Sequence, residues 1–146
     1  MKANLIPVNF KRQWELLVAG HKSNRLAHSY LLAGPKGVGK KKFVLEFAKY
    51  LNCLEKKGER ACSNCRHCLE IDNNTFIDLK IVEGDFSIEK MKRLKQELIY
   101  PPYQAEYRIV LINGVDQIRE DAASVFLKTL EEPNKRNIFF LLAENI

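Results

Sequence analysis

The residue pattern best suited to chemistry is the glycine-rich run at residues 34–41, Gly-Pro-Lys-Gly-Val-Gly-Lys-Lys. It matches G-x-x-x-x-G-K, the signature of a phosphate-binding P-loop. The candidate binding residues are Gly34, Gly37, Gly39 and Lys40. The glycines allow successive N–H groups to point at one anion, and the lysine and the start of a following helix add positive charge. A structural turn that needs no nucleotide remains an alternative for this loop.

The motif departs from its usual form where a metal ion would be bound. A magnesium-using P-loop has Ser or Thr after the lysine, and an Asp and a Glu after the third strand. Here these positions hold Lys41, Asn113 and Gly114, and Asp116 lies beyond them. We therefore expect no catalytic residues, weak or absent binding of Mg·ATP, and at most a bare phosphate or sulfate on the loop. By the same logic, hydrolysis would require Lys41→Thr, Asn113→Asp and Gly114→Glu together with an arginine from a neighbouring subunit.

A second candidate site is formed by cysteines in a C-x8-C-x2-C-x2-C pattern: Cys53, Cys62, Cys65 and Cys68. Paired C-x2-C turns bring thiolates together around zinc, and metal binding is the usual role of such clusters in a reducing compartment. Free thiols, an iron–sulfur cluster or a disulfide are the alternatives. The surrounding residues 53–74 are polar and are expected to form a zinc-binding insertion outside the core, with His67 at the surface.

Short apolar runs alternate with amphipathic segments along the rest of the chain. Helices are predicted at residues 9–20, 42–52, 87–99 and 121–132, and strands around residues 31–32 and at 79–82, 109–112 and 138–142. Ser87 is the expected N-cap of the third helix. This alternation predicts an α/β fold with a parallel β-sheet flanked by helices.

Composition restricts the class of protein. The chain has 146 residues, enough for about one domain, of which 46% are hydrophobic and 29% charged. No apolar run approaches the roughly 20 residues that span a membrane, so a cytoplasmic protein is expected. The net charge of +6 is compatible with a solvated basic surface or with contact to nucleic acid.

Three motifs together resemble bacterial clamp-loader subunits. They are residues 28–40, the four-cysteine module after the P-loop helix, and residues 126–133, Phe-Leu-Lys-Thr-Leu-Glu-Glu-Pro. The resemblance extends from about Leu26 to Leu142. The changes at the metal-binding positions are typical of the delta-prime branch rather than of the gamma/tau branch. One departure is Phe76-Ile77, where the family usually has His-Pro before the equivalent of Asp78.

This resemblance implies an AAA+ domain at residues 1–146 with sheet order 5-1-4-3-2, ending before the arginine-finger motif, the lid and the collar. It implies a catalytically inactive platform in DNA polymerase III. The implied partners are the gamma/tau and delta subunits, with the sliding clamp and primed DNA reached through the complex, and this piece alone is expected to be a monomer. The alternatives are an active P-loop ATPase with unusual metal coordination and a zinc-dependent nucleic-acid-binding module.

Overall fold

A computed structural model describes residues 10–131 and 136–145. Its elements, in chain order, are α1 (Lys11–Lys22), β1 (Ser29–Ala33), α2 (Lys40–Asn52), α3 (Arg66–Asp72), β2 (Leu79–Glu83), α4 (Ile88–Ile99), β3 (Arg108–Asn113), a 3₁₀ turn (Val115–Gln117), α5 (Glu120–Glu131) and β4 (Asn137–Ala143). None of the described helices is both long enough and apolar enough to cross a lipid bilayer.

The four strands form one parallel sheet in the order β1-β4-β3-β2. The predicted parallel α/β fold is therefore confirmed. The observed order equals the 1-4-3-2 part of the order that the family resemblance implied, and the described residues contain no fifth strand. Arg108 to Ile112 of β3 are all buried, as expected of a central parallel strand covered on both faces.

Helices cover both faces of the sheet, and each face has its own apolar core. On one face α1, α2 and α3 pack on alternate strand residues, namely Leu79, Ile109, Leu111, Ile138, Phe140 and Leu142. On the other face α4 and α5 pack on Val82, Val110, Ile112 and Phe139. Each fully buried large side chain contributes about 1.5–3 kcal/mol to stability, so these layers fix the positions of the strand ends.

Two helix boundaries show how local chemistry sets the ends. Helix α1 was expected to end at Gly20 but continues to Lys22, because a single glycine inside a helix costs only about 1 kcal/mol. The chain turns instead at Asn24, whose φ is 57°. The N–H of Arg25 donates a hydrogen bond to the carbonyl of Gly20 at 2.7 Å. The expected N-cap is confirmed, since Ser87 accepts a hydrogen bond from the N–H of Lys90. Asn9, Glu132 and Pro133, also expected in helices or at their ends, lie outside the described residues.

The segment after α2 was expected to stay apart from the core, and this expectation is wrong for its second half. Residues 66–72 form α3, which was not predicted, and Ile71 is only 2% exposed within the first core. Lys49 is 1% exposed and holds Asp72 at 3.1 Å and Glu46 at 3.0 Å. An apolar contact and a buried ion pair therefore attach the end of this segment to α2.

Candidate functional site

Three loops meet at the carboxyl end of the sheet and enclose a cavity. The loop after β1 is joined to the end of β4 by the N–H of Gly34, which donates to Ala143 O at 3.1 Å. The N–H of Gly114 donates to Leu142 O at 2.9 Å. The cavity has a volume of about 390 Å³ and is lined by Lys36, Gly37, Gly39, Lys40, Lys41, Lys42, Asn113, Gly114, Gln117, Leu142, Ala143 and Glu144. Parallel α/β folds bind ligands at this edge of the sheet.

Two glycines of the glycine-rich loop have left-handed backbone conformations. Gly37 and Gly39 have φ values of 84° and 96°, in the left-handed region where side chains are disfavoured. Gly39 is the residue immediately before α2, which begins at Lys40. The predicted residues Gly37, Gly39 and Lys40 therefore line the cavity at the positive end of a helix, whereas Gly34 is not among the residues that line it.

The side chain of the motif's lysine, Lys40, is hydrogen-bonded to backbone carbonyls of the protein. Lys40 is 9% exposed, and its Nζ donates to the carbonyl of Gly34 and, at 2.9 Å, to the carbonyl of Ala143. These contacts connect the loop to β4. An incoming anion would have to draw the ammonium away from both carbonyls.

Lys41, which occupies the position of the missing hydroxyl, is turned toward a carboxylate. Its Nζ lies 2.9 Å from Glu83 Oε1, and the side-chain amide of Asn113 donates to Glu83 Oε2 at 2.9 Å. These hydrogen bonds, that from Lys41 first, hold the pKa of Glu83 below its usual value. Lys41 and Asn113 were identified from the sequence, and Glu83 was not. Glu83 could have been found from its position at the end of β2, because it pairs in register with Asn113 at the end of β3.

The two remaining positions after β3 offer no replacement for the missing acids. Gly114 has a φ of 100°, and a Cβ there would lie 3.4 Å from the side chain of Gln117 and 3.5 Å from Phe86. Asp116 lies in the 3₁₀ turn and accepts a hydrogen bond from the N–H of Asn145 at 3.1 Å. Its carboxylate is thus engaged with the backbone of the segment that follows β4.

The four predicted cysteines are brought together. Their Sγ atoms all lie within 4.8 Å of one another, and those of Cys53 and Cys65 are 3.9 Å apart. Four thiolates around one zinc ion, with Zn–S bonds near 2.3 Å, would have their sulfur atoms about 3.8 Å apart. The donor set and its spacing fit a tetrahedral metal ion.

Backbone N–H groups point at these sulfur atoms. Cys62 N and Glu55 N donate to Cys53 Sγ at 3.3 and 3.4 Å, and Cys65 N donates to Cys62 Sγ at 3.1 Å. Burial tends to raise the pKa of Cys65, but hydrogen bonds from the backbone of Cys68 and Leu54 outweigh it and lower the pKa to about 6. Burial instead raises the pKa of Cys53 and of Cys68. The N–H groups stabilise the thiolate form that binds a metal.

His67 was expected at the surface, and this expectation is wrong. It is 6% exposed, its Nδ1–H donates to Asn52 O at 2.7 Å, and its ring packs edge-on against Phe76. The side-chain amide of Asn52 in turn donates to the carbonyl of Tyr107 at 3.0 Å and accepts from its N–H at 3.1 Å. His67 therefore connects the cysteine segment to α2 and to the start of β3, a role that no spacing in the sequence indicates.

Comparisons with known proteins agree with this architecture. The model of the family described as DNA polymerase III, delta subunit, matches residues 10–146. The delta' subunit of DNA polymerase III from Bacillus subtilis is 36% identical over 136 residues, which cover 91% of this chain and 41% of that protein. The tau/gamma subunit from Haemophilus influenzae is 36% identical over 129 residues, covering 87% of this chain and 19% of that protein. This chain therefore spans less than half the length of these relatives.

A solved structure shows the same fold. A DNA polymerase III gamma subunit-related protein from Thermotoga maritima superposes with a TM-score of 0.64 over 90% of this chain and 39% of that chain, at 20% identity. The fold and the family match together place the chain in the DNA polymerase III delta subunit family. Within that family it is a delta-prime-like chain, as the sequence resemblance had indicated.

Proposed function

We propose that this chain is the AAA+ module of a delta-prime-type clamp-loader subunit and serves as a catalytically inactive platform when the sliding clamp is loaded during DNA replication. Its partners would be the gamma/tau and delta subunits, with the clamp and primed DNA reached through the complex, in the cytoplasm. The names of the relatives support the replication role. The contact of Lys41 and Asn113 with Glu83 supports the inactivity.

The inactivity follows from the charges around the cavity. Mg²⁺ binds to oxygen ligands in near-octahedral geometry. The one carboxylate at the end of β2 is already paired with an ammonium and an amide, and a cation stands where the ligand hydroxyl would be. The P-loop of this module is therefore suited to a bare phosphate or sulfate rather than to Mg·ATP.

The cysteine cluster is proposed to hold one structural zinc ion, so that residues 53–74 are a zinc-binding insertion within the module. The spacing of the four Sγ atoms and the N–H groups directed at them support this assignment. A closed set of four thiolates leaves no open coordination position, as in structural rather than catalytic zinc sites.

The platform role can be tested in a reconstituted clamp loader that contains the full-length chain. Omitting the chain should abolish clamp loading on primed DNA, and adding either the unmodified chain or its Lys40→Ala variant should restore loading and ATP hydrolysis equally. A variant of the corresponding lysine in the gamma/tau subunit serves as the positive control and should lower both. Reduced ATP hydrolysis with a folded Lys40→Ala chain would contradict the proposal.

A further inference from the structure

The outer edge of β2 is free among the residues that the structure describes. β2 is the last strand in the order β1-β4-β3-β2 and pairs on one side with β3. Asp78 O accepts a hydrogen bond from Ile109 N, so the backbone groups of alternate residues from Asp78 onward face β3. The N–H and C=O of Ile81, which alternates with them, consequently point away from the sheet.

A cavity of about 450 Å³ runs along this edge. It is lined by the consecutive strand residues Leu79, Lys80, Ile81 and Val82, with Asn74 and, from α4, Lys90, Arg93, Leu94 and Glu97. Successive side chains of a strand point to opposite faces. A cavity that touches four in a row must therefore follow the backbone edge rather than one face. The four α4 residues recur every three or four positions along the chain, so they lie on one side of the helix, and this side faces the strand edge.

The groove combines an apolar base with positive charge. Val82 and Leu94 are buried at 3% and 7% exposure and form the base. Lys80 lies 3.4 Å from Glu97 and neutralises it. Neither Lys90 nor Arg93 has an acidic side chain within ion-pair distance among the described residues. Because Lys80 balances Glu97, the residues that line the groove carry a net positive charge beside the open backbone.

We propose that the edge of β2 and the adjoining side of α4 form a docking groove for an acidic, extended segment of a partner protein. The segment would add to the sheet as a further strand beside β2. An extended peptide can both donate to and accept from the backbone of Ile81, and side chains on one of its faces can meet the cations. A nucleic acid backbone satisfies this edge less well, because its phosphates accept hydrogen bonds but donate none. The five residues of β2 give a docking length of about 16 Å.

Fluorescence anisotropy can test the groove with a fluorescein-labelled peptide of about ten residues that alternates aspartate and valine. The full-length chain should bind it saturably. Arg93→Glu should weaken binding about tenfold by reversing a charge in the groove. Lys92→Glu, an exposed change on the same helix but outside the groove, should leave the affinity within about twofold. Thermal melting of both variants confirms that they are folded.

Changes to the probe separate strand addition from simple charge attraction. The same peptide methylated on its backbone nitrogens keeps its charge but cannot donate hydrogen bonds, and it should not bind. Equal binding of the methylated peptide would overturn the proposal. So would displacement of the probe by single-stranded oligothymidylate with the same dependence on Arg93, which would indicate a nucleic-acid site. Absence of saturable binding by the unmethylated peptide would also overturn it.

Discussion

At the scale of single residues, we propose that Lys41 determines whether the cavity can bind Mg²⁺. Its ammonium is 2.9 Å from Glu83, which also accepts from Asn113. Both side chains of the ion pair are more than 40% exposed, so the pair adds only roughly 0.2–1 kcal/mol to stability. Its consequence is chemical, since it places a cation where Mg²⁺ needs an oxygen ligand.

Replacing Lys41 should therefore change the response to metal rather than the fold. In Lys41→Thr the hydroxyl can ligate Mg²⁺ and Glu83 is released as a nearby anion, so we expect Mg²⁺ to strengthen ATP binding about tenfold. Calorimetric titration with ATP, with and without Mg²⁺, measures this. Lys42→Thr is the matched control, because Lys42 lines the same cavity. Tightening of ATP binding by Mg²⁺ in the unmodified chain would show that Lys41 does not exclude the metal.

Gly114 makes the acidic residue of an active site hard to reinstate. Its φ of 100° and the nearby Gln117 and Phe86 mean that any side chain at this position strains the backbone, at a cost of order 1–3 kcal/mol. We expect both Gly114→Glu and Gly114→Ala to lower the free energy of unfolding in urea. Gly20→Ala is the control, since its Cβ would lie 3.6 Å from Leu26 inside a helix and should be neutral or stabilising. An unchanged unfolding midpoint for Gly114→Ala would show that the turn relaxes without strain.

For the P-loop cavity, comparison of the sequence with a motif identified some residues and missed one. Lys41, Asn113 and Gly114 were identified by comparison with a motif, but Glu83 could be paired with them only once the register of β2 and β3 was known. The restored hydrolysis expected from adding Gly114→Glu to the other two changes conflicts with the backbone at that position, because φ is not readable from residue type alone.

At the scale of elements, the cysteine segment has two parts that are held by different forces. Residues 53–65 surround the thiols and contain a short antiparallel bridge between Lys57 and Arg60. Helix α3 is fixed independently, by Ile71 in the core and by the ion pair of Lys49 with Asp72. Burial disfavours the charge on Lys49, but its hydrogen bonds to Glu46 and Asp72 outweigh this and raise its pKa, so the pair persists at neutral pH.

Metal removal should consequently loosen only the first part. We expect about one zinc ion per chain, and after chelation faster hydrogen exchange at residues 53–65, with α3 and the sheet still protected. Cys68→Ser should lose the zinc, whereas His67→Ala should retain it, because His67 bonds Asn52. Elemental analysis of freshly reduced protein and hydrogen exchange with mass spectrometry measure these effects. Absence of zinc from the unmodified protein, or its loss from His67→Ala, would contradict this account of the cluster.

Most elements could be predicted from the sequence because their apolar residues follow the period of a helix or the run of a buried strand. Strand β3 was the clearest case, with Ile109 to Ile112 all apolar. Helix α3 was missed because it has seven residues and two of its inward positions are His67 and Cys68, which do not read as core. The loop at residues 103–105 was also unpredictable, since its three N–H groups are held by the carboxylate of Asp78 at 2.8 Å each.

At the scale of the whole molecule, the order of the strands creates the candidate site. β4 lies between β1 and β3, so Lys40 at the start of α2 can reach Ala143 at the end of β4. β2 lies beside β3, so Asn113 can reach Glu83. The sequence indicated a parallel sheet, and the family resemblance supplied its order. Neither showed that the side chains of Lys40 and Lys41 would be engaged by the protein's own oxygen atoms. These internal contacts are the basis for proposing a platform rather than an ATPase.

The most direct test of that proposal is ATP hydrolysis by the unmodified full-length chain, purified free of its partners and supplied with Mg²⁺. We predict that it releases phosphate no faster than its Lys40→Ala variant, with Lys42→Ala as a control for the loss of one positive charge in the same cavity. Phosphate release that is well above this background in the unmodified chain and in Lys42→Ala, and that Lys40→Ala abolishes, would show that the chain is an active ATPase.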